Sequence, residues 1–583
     1  MGVDVFFVIS GYLITTILIN DLEAGQFSLA RFYERRARRI LPALFFMMVC
    51  CLPFAWAWML PSQLKDFSQA LVAVSLFASN ILFWRKTDYF APAAEENPLL
   101  HTWSLAVEEQ FYIFFPIMLW LLWHHGRGRI FWVIILLCVI SLGTSEWGWR
   151  YAPAANFYLI VTRAWELGAG AICAFILHDR ALRPNSGFSA LGLGLILLSV
   201  FAFDGNTPFP SLYALVPVGG TALIILFAGR DTVVGRLLSV SGVVGIGLIS
   251  YSAYLWHQPL FAFARLRSLS EPGLGLMLAL AVVALLLGWF TWYFVEEPFR
   301  RRPAPVLPRR STVFIASGVM GTLLTMVGLA GHFGKGFDWR LSDVNARLYT
   351  TAAASPMRNR CHYGHRNRFS VEDSCVYFGD TADVAIYGNS HGVELAYGLA
   401  ERLRDHGRSL VHYTISGCAG GFRRDLDPYC ENFYESRLTQ ILSDPNIRHV
   451  VLTYRTDTSG PDAAASIIKL ANFLQEAGKQ VVIVLQAPVL PHDVSVALRR
   501  AFINGAEDVP GLARSEWEGM NRHIHAALVN LDPAVQVFDP TEHFCDLDYC
   551  YAIRDRQALF FDDDHMSIHG SRLIAGPLAD LLR

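Results

Sequence analysis

The chain has 583 residues, an apolar fraction of 53% and a mean hydropathy of +0.34, so it is long enough for two domains and too apolar for an ordinary soluble protein. Its formal net charge of −2 gives no indication of a nucleic-acid partner. The apolar residues are concentrated before about position 333, and the sequence beyond Gly336 is polar. The composition therefore predicts a membrane-embedded N-terminal part and a globular C-terminal part.

Ten apolar runs in the N-terminal part are close to the length of helix that crosses a bilayer. They lie at 3–20, 41–59, 110–124, 130–146, 158–178, 188–203, 211–228, 248–266, 274–294 and 312–332. A weaker run at 66–84 contains polar residues, and we interpret it as an interfacial helix, with a short span as the alternative. The pattern predicts a polytopic all-α membrane bundle of about ten spans.

Clusters of basic residues between these runs predict the orientation of the bundle. They lie at 31–39, 124–129, 179–183, 230–236 and 300–310, and with ten spans all five fall on one side, the cytoplasm. The polar C-terminal part then lies outside. In this orientation the first run crosses from the outside to the cytoplasm. No basic leader of the kind that marks a signal peptide precedes it, so we expect a further helix upstream.

Cysteine placement agrees with this division. Four cysteines lie within apolar runs, and six lie in the polar part, in three pairs of sequence neighbours: Cys361 and Cys375, Cys418 and Cys430, Cys545 and Cys550. Because their spacing lacks the CxxC pattern typical of zinc sites, we expect three disulfides and an oxidising compartment. Pairing of sequence neighbours is a working assumption.

The polar part alternates short apolar runs with helical segments. The runs at 384–387, 409–415, 449–454, 480–486 and 535–538 are predicted strands. This alternation predicts a three-layer α/β domain with a parallel sheet, in which sites form at the carboxyl ends of strands.

A nucleophile and a base are recognisable in this domain. Ser390 follows the first predicted strand in a turn that also contains Gly388, and Asp562 precedes His565 by three positions near the C-terminus. A hydroxyl, an imidazole and an orienting carboxylate are the components of nucleophilic acyl chemistry. The alternative for Ser390 is a structural helix N-cap.

The neighbours of these residues are expected to have lesser roles. Asp563 and Asp564 are interpreted as solvated or structural, and His569 as a surface residue at the start of the last helix. His391, next to the serine, is expected to point away from the base and to contact substrate or backbone.

Six ordered motifs resemble the signatures of the acyltransferase-3 family. They are the segments 2–13 (GVDVFFVISGYL), 32–42 (FYERRARRILP), 101–112 (HTWSLAVEEQFY), 163–168 (RAWELG), 249–260 (ISYSAYLWHQPL) and 295–300 (VEEPFR). The C-terminal part is similar to the SGNH hydrolase-like domain that is fused to a branch of this family. The resemblance implies a bacterial inner-membrane enzyme that O-acylates, usually O-acetylates, cell-surface glycans.

For the C-terminal domain, the resemblance implies that Ser390 is the nucleophile, His565 the base and Asp562 the residue that orients the base. It also implies that the backbone amides of Ser390 and Gly417 form the oxyanion hole. The asparagine that SGNH hydrolases use as a third donor is replaced here by the segment 455–457 (RTD), in which Arg455 is a weak candidate.

For the membrane part, the resemblance implies that Arg36 and Arg39, one helical turn apart, bind an acyl-CoA phosphate. The alternative is a basic anchor at a helix end. Four other ionisable groups in or beside spans are expected either to line an acyl-donor tunnel or to fix helix packing: Glu108, Glu109, Glu166 and His257. Glu166 is a candidate partner of Arg163. No metal site and no bound cofactor are expected.

The resemblance further implies that the sequence begins within the second helix of the family. The first family helix, with a histidine implicated in acyl transfer, would then lie upstream and would bring the total to eleven spans.

We therefore expect a transmembrane acyltransferase-3 domain at 1–333, a linker at 334–350 and an extracytoplasmic SGNH-like domain at 351–583. The expected activity is O-acyltransfer, with acetyl-CoA as donor substrate and a surface glycan or its lipid-linked precursor as acceptor: lipopolysaccharide, exopolysaccharide or peptidoglycan. The expected location is the bacterial inner membrane, with the C-terminal domain outside the cytoplasm. Two alternatives are an extracytoplasmic carbohydrate esterase and a transporter with an accessory domain.

Overall fold

The computed structural model describes residues 2–86, 94–205, 207–268, 272–301, 306–364, 367–420, 427–458 and 460–583. Part of the basic cluster at 300–310 lies outside these ranges. The chain divides into two compact units, Met1–Asp338 and Trp339–Arg583. The division falls inside the predicted linker at 334–350, the second part of which forms a helix, Asp343–Thr351, in the C-terminal unit.

The described residues of the N-terminal unit form helices joined by turns and loops, with no strand among them. Its helices are α1 (Gly2–Glu23), α2 (Leu29–Trp58), α3 (Pro61–Ser75), α4 (Ser79–Lys86), α5 (Thr102–Leu122), α6 (Arg127–Tyr151), α7 (Pro153–Tyr158), α8 (Ile160–Asp179), α9 (Ser186–Ala202), α10 (Leu215–Phe227), α11 (Val233–Leu238), α12 (Ser241–Arg267), α13 (Leu274–Thr291), α14 (Glu297–Arg300) and α15 (Arg310–Phe333). Each of the ten predicted spans corresponds to one helix.

Seven helical segments within the described residues are long and apolar enough to cross a membrane by length and composition. They are Gly2–Glu23, Leu29–Trp58, Thr102–His125, Arg127–Tyr151, Pro153–Asp179, Leu274–Arg300 and Arg310–Phe333. Two shorter apolar helical segments accompany them, Ser186–Ala202 and Leu212–Phe227. The unit is therefore a helix-rich bundle with several candidate spans.

The weaker run at 66–84 forms two helices, α3 and α4, rather than one. Helix α3 lies against α15, where Gly328 leaves room for the Ser68 backbone: a Cβ on this glycine would lie 2.6 Å from the Ser68 carbonyl oxygen. Since Ser68 is also buried, this part of the run is packed into the helical bundle.

The C-terminal unit is built on a six-stranded sheet with the order β1-β3-β2-β4-β5-β7. Strand β1 pairs antiparallel with β3, and the other pairs are parallel. These strands are β1 (Val376–Tyr377), β2 (Val384–Asn389), β3 (Leu410–Ile415), β4 (His449–Thr453), β5 (Gln480–Val484) and β7 (Gln536–Phe538). All five predicted strands are confirmed, because parallel strands buried on both faces read as continuous apolar runs.

The remaining elements surround this sheet or form a second one. The helices are α16 (Asp343–Thr351), α17 (Arg358–Cys361), α18 (Val393–Arg404), α19 (Pro428–Ser443), α20 (Pro461–Glu476), α21 (Val494–Asn504), α22 (Arg514–Met520), α23 (Arg522–Ala527), α24 (Thr541–Phe544) and α25 (Ile568–Leu581). A three-stranded antiparallel sheet, which the sequence analysis missed, has the order β6-β8-β9, with β6 at Val509–Ala513, β8 at Tyr549–Arg554 and β9 at Gln557–Ala558.

Three disulfides link the cysteines of the C-terminal unit in the expected neighbouring pairs, Cys361–Cys375, Cys418–Cys430 and Cys545–Cys550. The four cysteines of the N-terminal unit are free.

The strand order creates a crevice beside β2. The chain passes from β2 to β3 on one side of β2, and then crosses to β4 on its other side. Ligand sites in open parallel sheets form at such a point, beyond the carboxyl ends of the strands. Gly388 allows β2 to approach β4 there, since a Cβ at this position would collide with the carbonyl of Thr453, its partner in register. The residue that follows β2 is Ser390.

Candidate active site

Ser390 is presented by a single 3-10 turn, Ser390–Gly392, between β2 and α18. The side chain that caps this turn belongs to Asn389, whose Oδ1 accepts a hydrogen bond of 3.2 Å from the amide of His391. The alternative that Ser390 is itself a structural N-cap is therefore contradicted. Its half-buried hydroxyl lies instead beside an imidazole.

The structure brings the three predicted residues together. His565 Nε2 lies 2.9 Å from Ser390 Oγ, and His565 Nδ1 lies 2.9 Å from Asp562 Oδ2. Asp562 Oδ1 also accepts the backbone amides of Asp564 and His565, at 3.1 and 2.7 Å. The loop before α25 thus fixes Asp562, and Asp562 orients the ring. This is the geometry in which an imidazole can take a proton from a serine.

A second carboxylate also reaches His565, which the sequence analysis missed. Asp564 is buried, and its Oδ1 lies 2.6 Å from His565 Nδ1. Its other oxygen, Oδ2, lies 2.5 Å from Nη1 of Arg455. Asp564 was expected to be either solvated or structural. The solvated alternative is wrong, because its side chain is buried against the ring of the base.

These contacts change the proton affinity of His565. Burial of the ring favours its neutral form, but hydrogen bonds to Asp562 and Asp564 outweigh burial and raise the pKa of His565 to about 9. Contacts with His565, His391 and Arg455 outweigh burial at Asp564 as well and lower the pKa of its carboxyl. The contacts with the two aspartates therefore favour the protonated form of His565.

The prediction that His391 points away from the base is wrong. Its ring stacks on His565, with centroids 4.5 Å apart and planes inclined by 25°, and its Nε2 lies 3.8 Å from Asp564 Oδ2. Burial, followed by the charge on His565, lowers the pKa of His391 well below its ordinary value. His391 is therefore a neutral ring that forms one wall of the base's pocket.

The predicted oxyanion donors lie on adjacent loops. Gly417 follows β3 with a φ of +71°, a left-handed conformation that glycine adopts readily, and it is exposed. Asn389 Nδ2 donates to the carbonyl of Cys418 at 3.5 Å, which joins this turn to the nucleophile turn. Arg455, the weak candidate for a third donor, pairs with Asp457 at 2.8 Å and with Asp564.

Arg358 and Phe561 form another wall of the site, which the sequence analysis also missed. Phe561 stacks on the ring of His565, with centroids 5.6 Å apart, and the guanidinium of Arg358 lies 4.8 Å from the Phe561 centroid. Arg358 also donates to the carbonyl oxygen of Ser390 at 3.3 Å. The base is therefore stacked between His391 and Phe561.

Two further histidines lie near the catalytic residues: His362, which the sequence did not indicate, and His569, which it placed on the surface. His362 is buried, and its two ring nitrogens lie 2.7 Å from Thr414 Oγ1 and 2.8 Å from Ser416 Oγ. It supports the turn after β3. His569 is half-buried in α25 rather than fully on the surface.

Metal binding does not fit this arrangement. Ligand atoms of His391, Asp564 and His565 lie within 4.8 Å of one another. However, both nitrogens of His565 already face Ser390 and the two carboxylates, and the Arg455 guanidinium occupies the open side of Asp564. A cation there would have to displace that charge. We therefore do not identify these residues as metal ligands.

In the N-terminal unit, the structure gathers part of the predicted acyl-donor site around one pocket. Arg36, Arg39 and Glu108 line it, together with Ser10 and Tyr112. Glu108 is buried and is hydrogen-bonded to Ser10 and Tyr112, and the Arg36 guanidinium lies 5.8 Å from the Tyr112 ring centroid. The cavity therefore combines two cations with a buried carboxylate.

The other predicted membrane residues lie elsewhere. Glu166 belongs to a buried ion cluster, in which Arg163 contacts Glu166 at 3.1 Å, as expected, and Asp4 at 3.0 Å. His257 Nδ1 lies 2.5 Å from the Tyr254 carbonyl oxygen. Glu109 is half-buried next to Glu108. For Glu166, the structure favours the helix-packing alternative.

Comparison with known proteins identifies both units. Residues 1–294 match the family model described as an acyltransferase domain, that of the acyltransferase-3 family. The chain belongs to the acyltransferase-3 family. Residues 360–580 match the SGNH domain that is fused to acyltransferase-3 domains. The fold class expected from the sequence is confirmed.

Two bacterial proteins are among the relatives that this chain is similar to. The chain is 28% identical over 359 residues to the O-acetyltransferase OatA of Staphylococcus aureus, covering 57% of this chain and 58% of that protein. It is 29% identical over 327 residues to the peptidoglycan O-acetyltransferase OatA of Listeria monocytogenes, covering 52% of this chain and 51% of that protein. The chain thus spans between about half and three fifths of the length of these acyltransferase-3 relatives.

One solved structure is similar to part of the chain. The periplasmic domain of a lipopolysaccharide acetyltransferase from Salmonella ser. Paratyphi A is 14% identical, covers 42% of this chain and 99% of that domain, and gives a TM-score of 0.31.

Proposed function

We propose that the chain transfers an acetyl group from cytoplasmic acetyl-CoA across the inner membrane to hydroxyls of an extracytoplasmic glycan. The observation that carries this proposal is the contact between Ser390 and His565, which is completed by Asp562, in a domain fused to an acyltransferase-3 bundle. The acceptor class follows from relatives named O-acetyltransferases, one of them acting on peptidoglycan. Lipopolysaccharide and exopolysaccharide are the other acceptors of the same chemical class.

The C-terminal unit would carry out the transfer to the acceptor in two steps. Neutral His565 takes the proton of Ser390 while Oγ attacks the carbonyl of the acetyl group that the N-terminal unit has passed outward. The bond between that carbonyl and its carrier breaks, and the carrier departs with the proton from His565. A glycan hydroxyl then attacks the acetyl-serine, gives its proton to His565, and leaves as an O-acetyl ester when Ser390 regains the proton. The amides of Ser390 and Gly417 would stabilise the oxyanion in both steps.

The N-terminal unit would bind the donor on its cytoplasmic side. Neither Arg36 nor Arg39 has an ion-pair partner among the described residues, so both guanidinium groups remain available to phosphate oxygens in the pocket that they line. The net reaction is balanced: acetyl-CoA and a glycan hydroxyl give the O-acetyl glycan and free CoA. No resident cofactor is required.

Two independent observations support the proposed location of the two units. The basic clusters favour a cytoplasmic side that contains residues 31–39, and three disulfides favour an oxidising compartment for the C-terminal unit. An enzyme so placed receives its donor on one side and its acceptor on the other.

The proposal is tested by mass spectrometry of surface glycans from cells that express the full-length protein or its Ser390→Ala variant. We expect O-acetyl glycans with the first and none above background with the second. Equal acetylation by the variant would contradict a catalytic C-terminal unit. Loss of pre-existing O-acetyl groups when the wild-type protein is expressed would indicate the carbohydrate esterase instead.

A further inference from the structure

The imidazole of His565 has two carboxylate partners at the same nitrogen. Asp562 Oδ2 lies 2.9 Å and Asp564 Oδ1 lies 2.6 Å from Nδ1. The two aspartates are held differently. Asp562 is fixed by amides of its own loop, whereas Asp564 is tied through its second oxygen to Arg455, at 2.5 Å. A serine–histidine pair needs only one orienting carboxylate, so the second one requires an explanation.

Arg455 is itself rigidly held. Its Nε and Nη2 donate to the two carboxylate oxygens of Asp457, at 2.8 and 3.2 Å, and its Nη1 faces Asp564. Asp457 is anchored in turn, since its amide donates to Gln486 Oε1 at 3.0 Å. Asp457 and Asp564 are both nearly inaccessible to solvent, with side chains 2% and 8% exposed. The guanidinium therefore joins the loop after β4 to the loop that carries the base.

The charged and titratable groups around His565 come from several elements. Asp562 and Asp564 face it from its own loop, and His391 stacks on it from the nucleophile turn. Arg455 approaches Asp564 from the loop after β4, Arg358 lies behind the Phe561 ring, and His362 lies at the end of α17. Of these, only the two carboxylates contact Nδ1.

We propose that Asp564 and Arg455 form a coupled pair that positions His565 and sets the pH at which it can accept the proton of Ser390. This inference rests on the proposed role of Ser390 as the nucleophile. Asp564 favours the protonated ring, and Arg455 limits that effect, because its positive charge lies on the far oxygen of the same carboxylate. Neither residue touches the reacting atoms, so both are positioning residues.

Opposite charges on the two residues give opposite expectations for their removal. Asp564→Asn keeps the shape of the side chain but removes a negative charge next to the ring, so His565 should lose its proton at lower pH. Arg455→Gln removes a positive charge and leaves Asp564 unopposed, so His565 should keep its proton to higher pH. A residue that only supports the fold would lower activity at every pH without moving the profile.

The experiment measures the rate at which a fluorophosphonate probe labels Ser390 in the full-length protein in detergent, as a function of pH. For wild type, we expect the rate to rise with a midpoint near pH 9, which follows the pKa of His565. The Asp564→Asn variant should move this midpoint down by about one pH unit or more, the usual effect of an opposite charge at this distance. The Arg455→Gln variant should move it up.

Asp563→Asn is the matched control, because it removes the same charge from the neighbouring residue of the triplet, whose side chain is exposed. We expect it to move the midpoint by less than half as much as Asp564→Asn. An unshifted midpoint in Asp564→Asn, or an equal shift in Asp563→Asn, would overturn the inference. Absence of labelling in wild type at every pH would instead contradict the proposed nucleophile, so the two failures are distinguishable.

Discussion

Arg358 binds both carboxylate oxygens of Glu394, through Nε at 2.8 Å and Nη2 at 2.6 Å. Glu394 is fully buried in the first turn of α18, directly behind the nucleophile turn, and its Oε1 also accepts the amide of Ser355. The short α17 segment is thus fastened to the helix that follows Ser390. Planar, bidentate pairs of this kind are suited to arginine and not to lysine.

Substitution of Arg358 by Gln should destabilise the C-terminal unit strongly, because it leaves the buried Glu394 carboxylate without its cation. Breaking a buried pair on one side costs about 3–5 kcal/mol. The measurement is the thermal unfolding of the full-length variant, with protease protection of the C-terminal unit as the readout. The matched control is Arg572→Gln, since Arg572 forms a similar bidentate pair with Glu401 but is 54% exposed.

The control should cost about 1 kcal/mol or less, as exposed ion pairs do. If Arg358→Gln is no more destabilising than Arg572→Gln, the Arg358–Glu394 pair does not hold the segment in place.

The pKa of His565 makes the stability of the C-terminal unit depend on pH. Because the pKa rises from 6.5 to about 9 on folding, the contribution to the free energy of unfolding is fully present below pH 6.5 and is lost as pH rises through about 9. The change is about 3 kcal/mol. It is measured as the difference in unfolding free energy between wild type and His565→Gln at the two ends of this range. A difference that stays constant with pH would contradict the raised pKa.

Cysteine reactivity tests the compartment of each unit. In the protein purified from membranes, we expect a thiol reagent to modify at most the four cysteines of the N-terminal unit before reduction, and all ten after reduction and denaturation. Cysteines of proteins in the cytoplasm are kept reduced, so disulfides among the six cysteines of the C-terminal unit imply export. Mass spectrometry identifies each modified residue. Free thiols at Cys418 and Cys430 without reductant would contradict an extracytoplasmic C-terminal unit.

The cavity in the N-terminal unit gives a prediction for donor binding. Arg36→Gln and Arg39→Gln should each weaken acetyl-CoA binding at least about tenfold, since a charged hydrogen bond to phosphate contributes about 1.5–3 kcal/mol. Equilibrium binding of labelled acetyl-CoA to the purified variants measures this. Arg35→Gln is the control, because Arg35 belongs to the same cluster but pairs with Asp21 at 2.6 Å. Equal losses in all three variants would indicate a general charge effect.

Much of the fold could be predicted from the sequence because its signals are local. The ten apolar runs are continuous in the sequence, and the strands β2, β3, β4 and β5 are almost entirely buried. The second sheet could not, because β6 contains Pro510 and Gly511 and β9 has only two residues. Short antiparallel strands with one exposed face carry little of the apolar signal that identifies a buried strand.

In the candidate site, the three residues named from the sequence meet in space, whereas their surroundings could not be foreseen. Three consecutive aspartates precede His565, and composition does not tell which of them points inward. Asp562 and Asp564 both turn toward His565, and Asp563 faces solvent. Arg358 has no such signal, because its contact with Glu394 is long-range.

The central claim is that Ser390 carries the acetyl group on its way to the glycan. The most direct measurement supplies labelled acetyl-CoA to the full-length protein in membrane vesicles without acceptor, then searches the peptide containing Ser390 for an acetyl ester by mass spectrometry. We expect the label on Ser390 in wild type and far less of it in the Arg36→Gln, Arg39→Gln double variant, in which both substitutions should weaken donor binding. Transfer of label to added glycan, with Ser390 unmodified at every time point and the Ser390→Ala variant still active, would contradict the account.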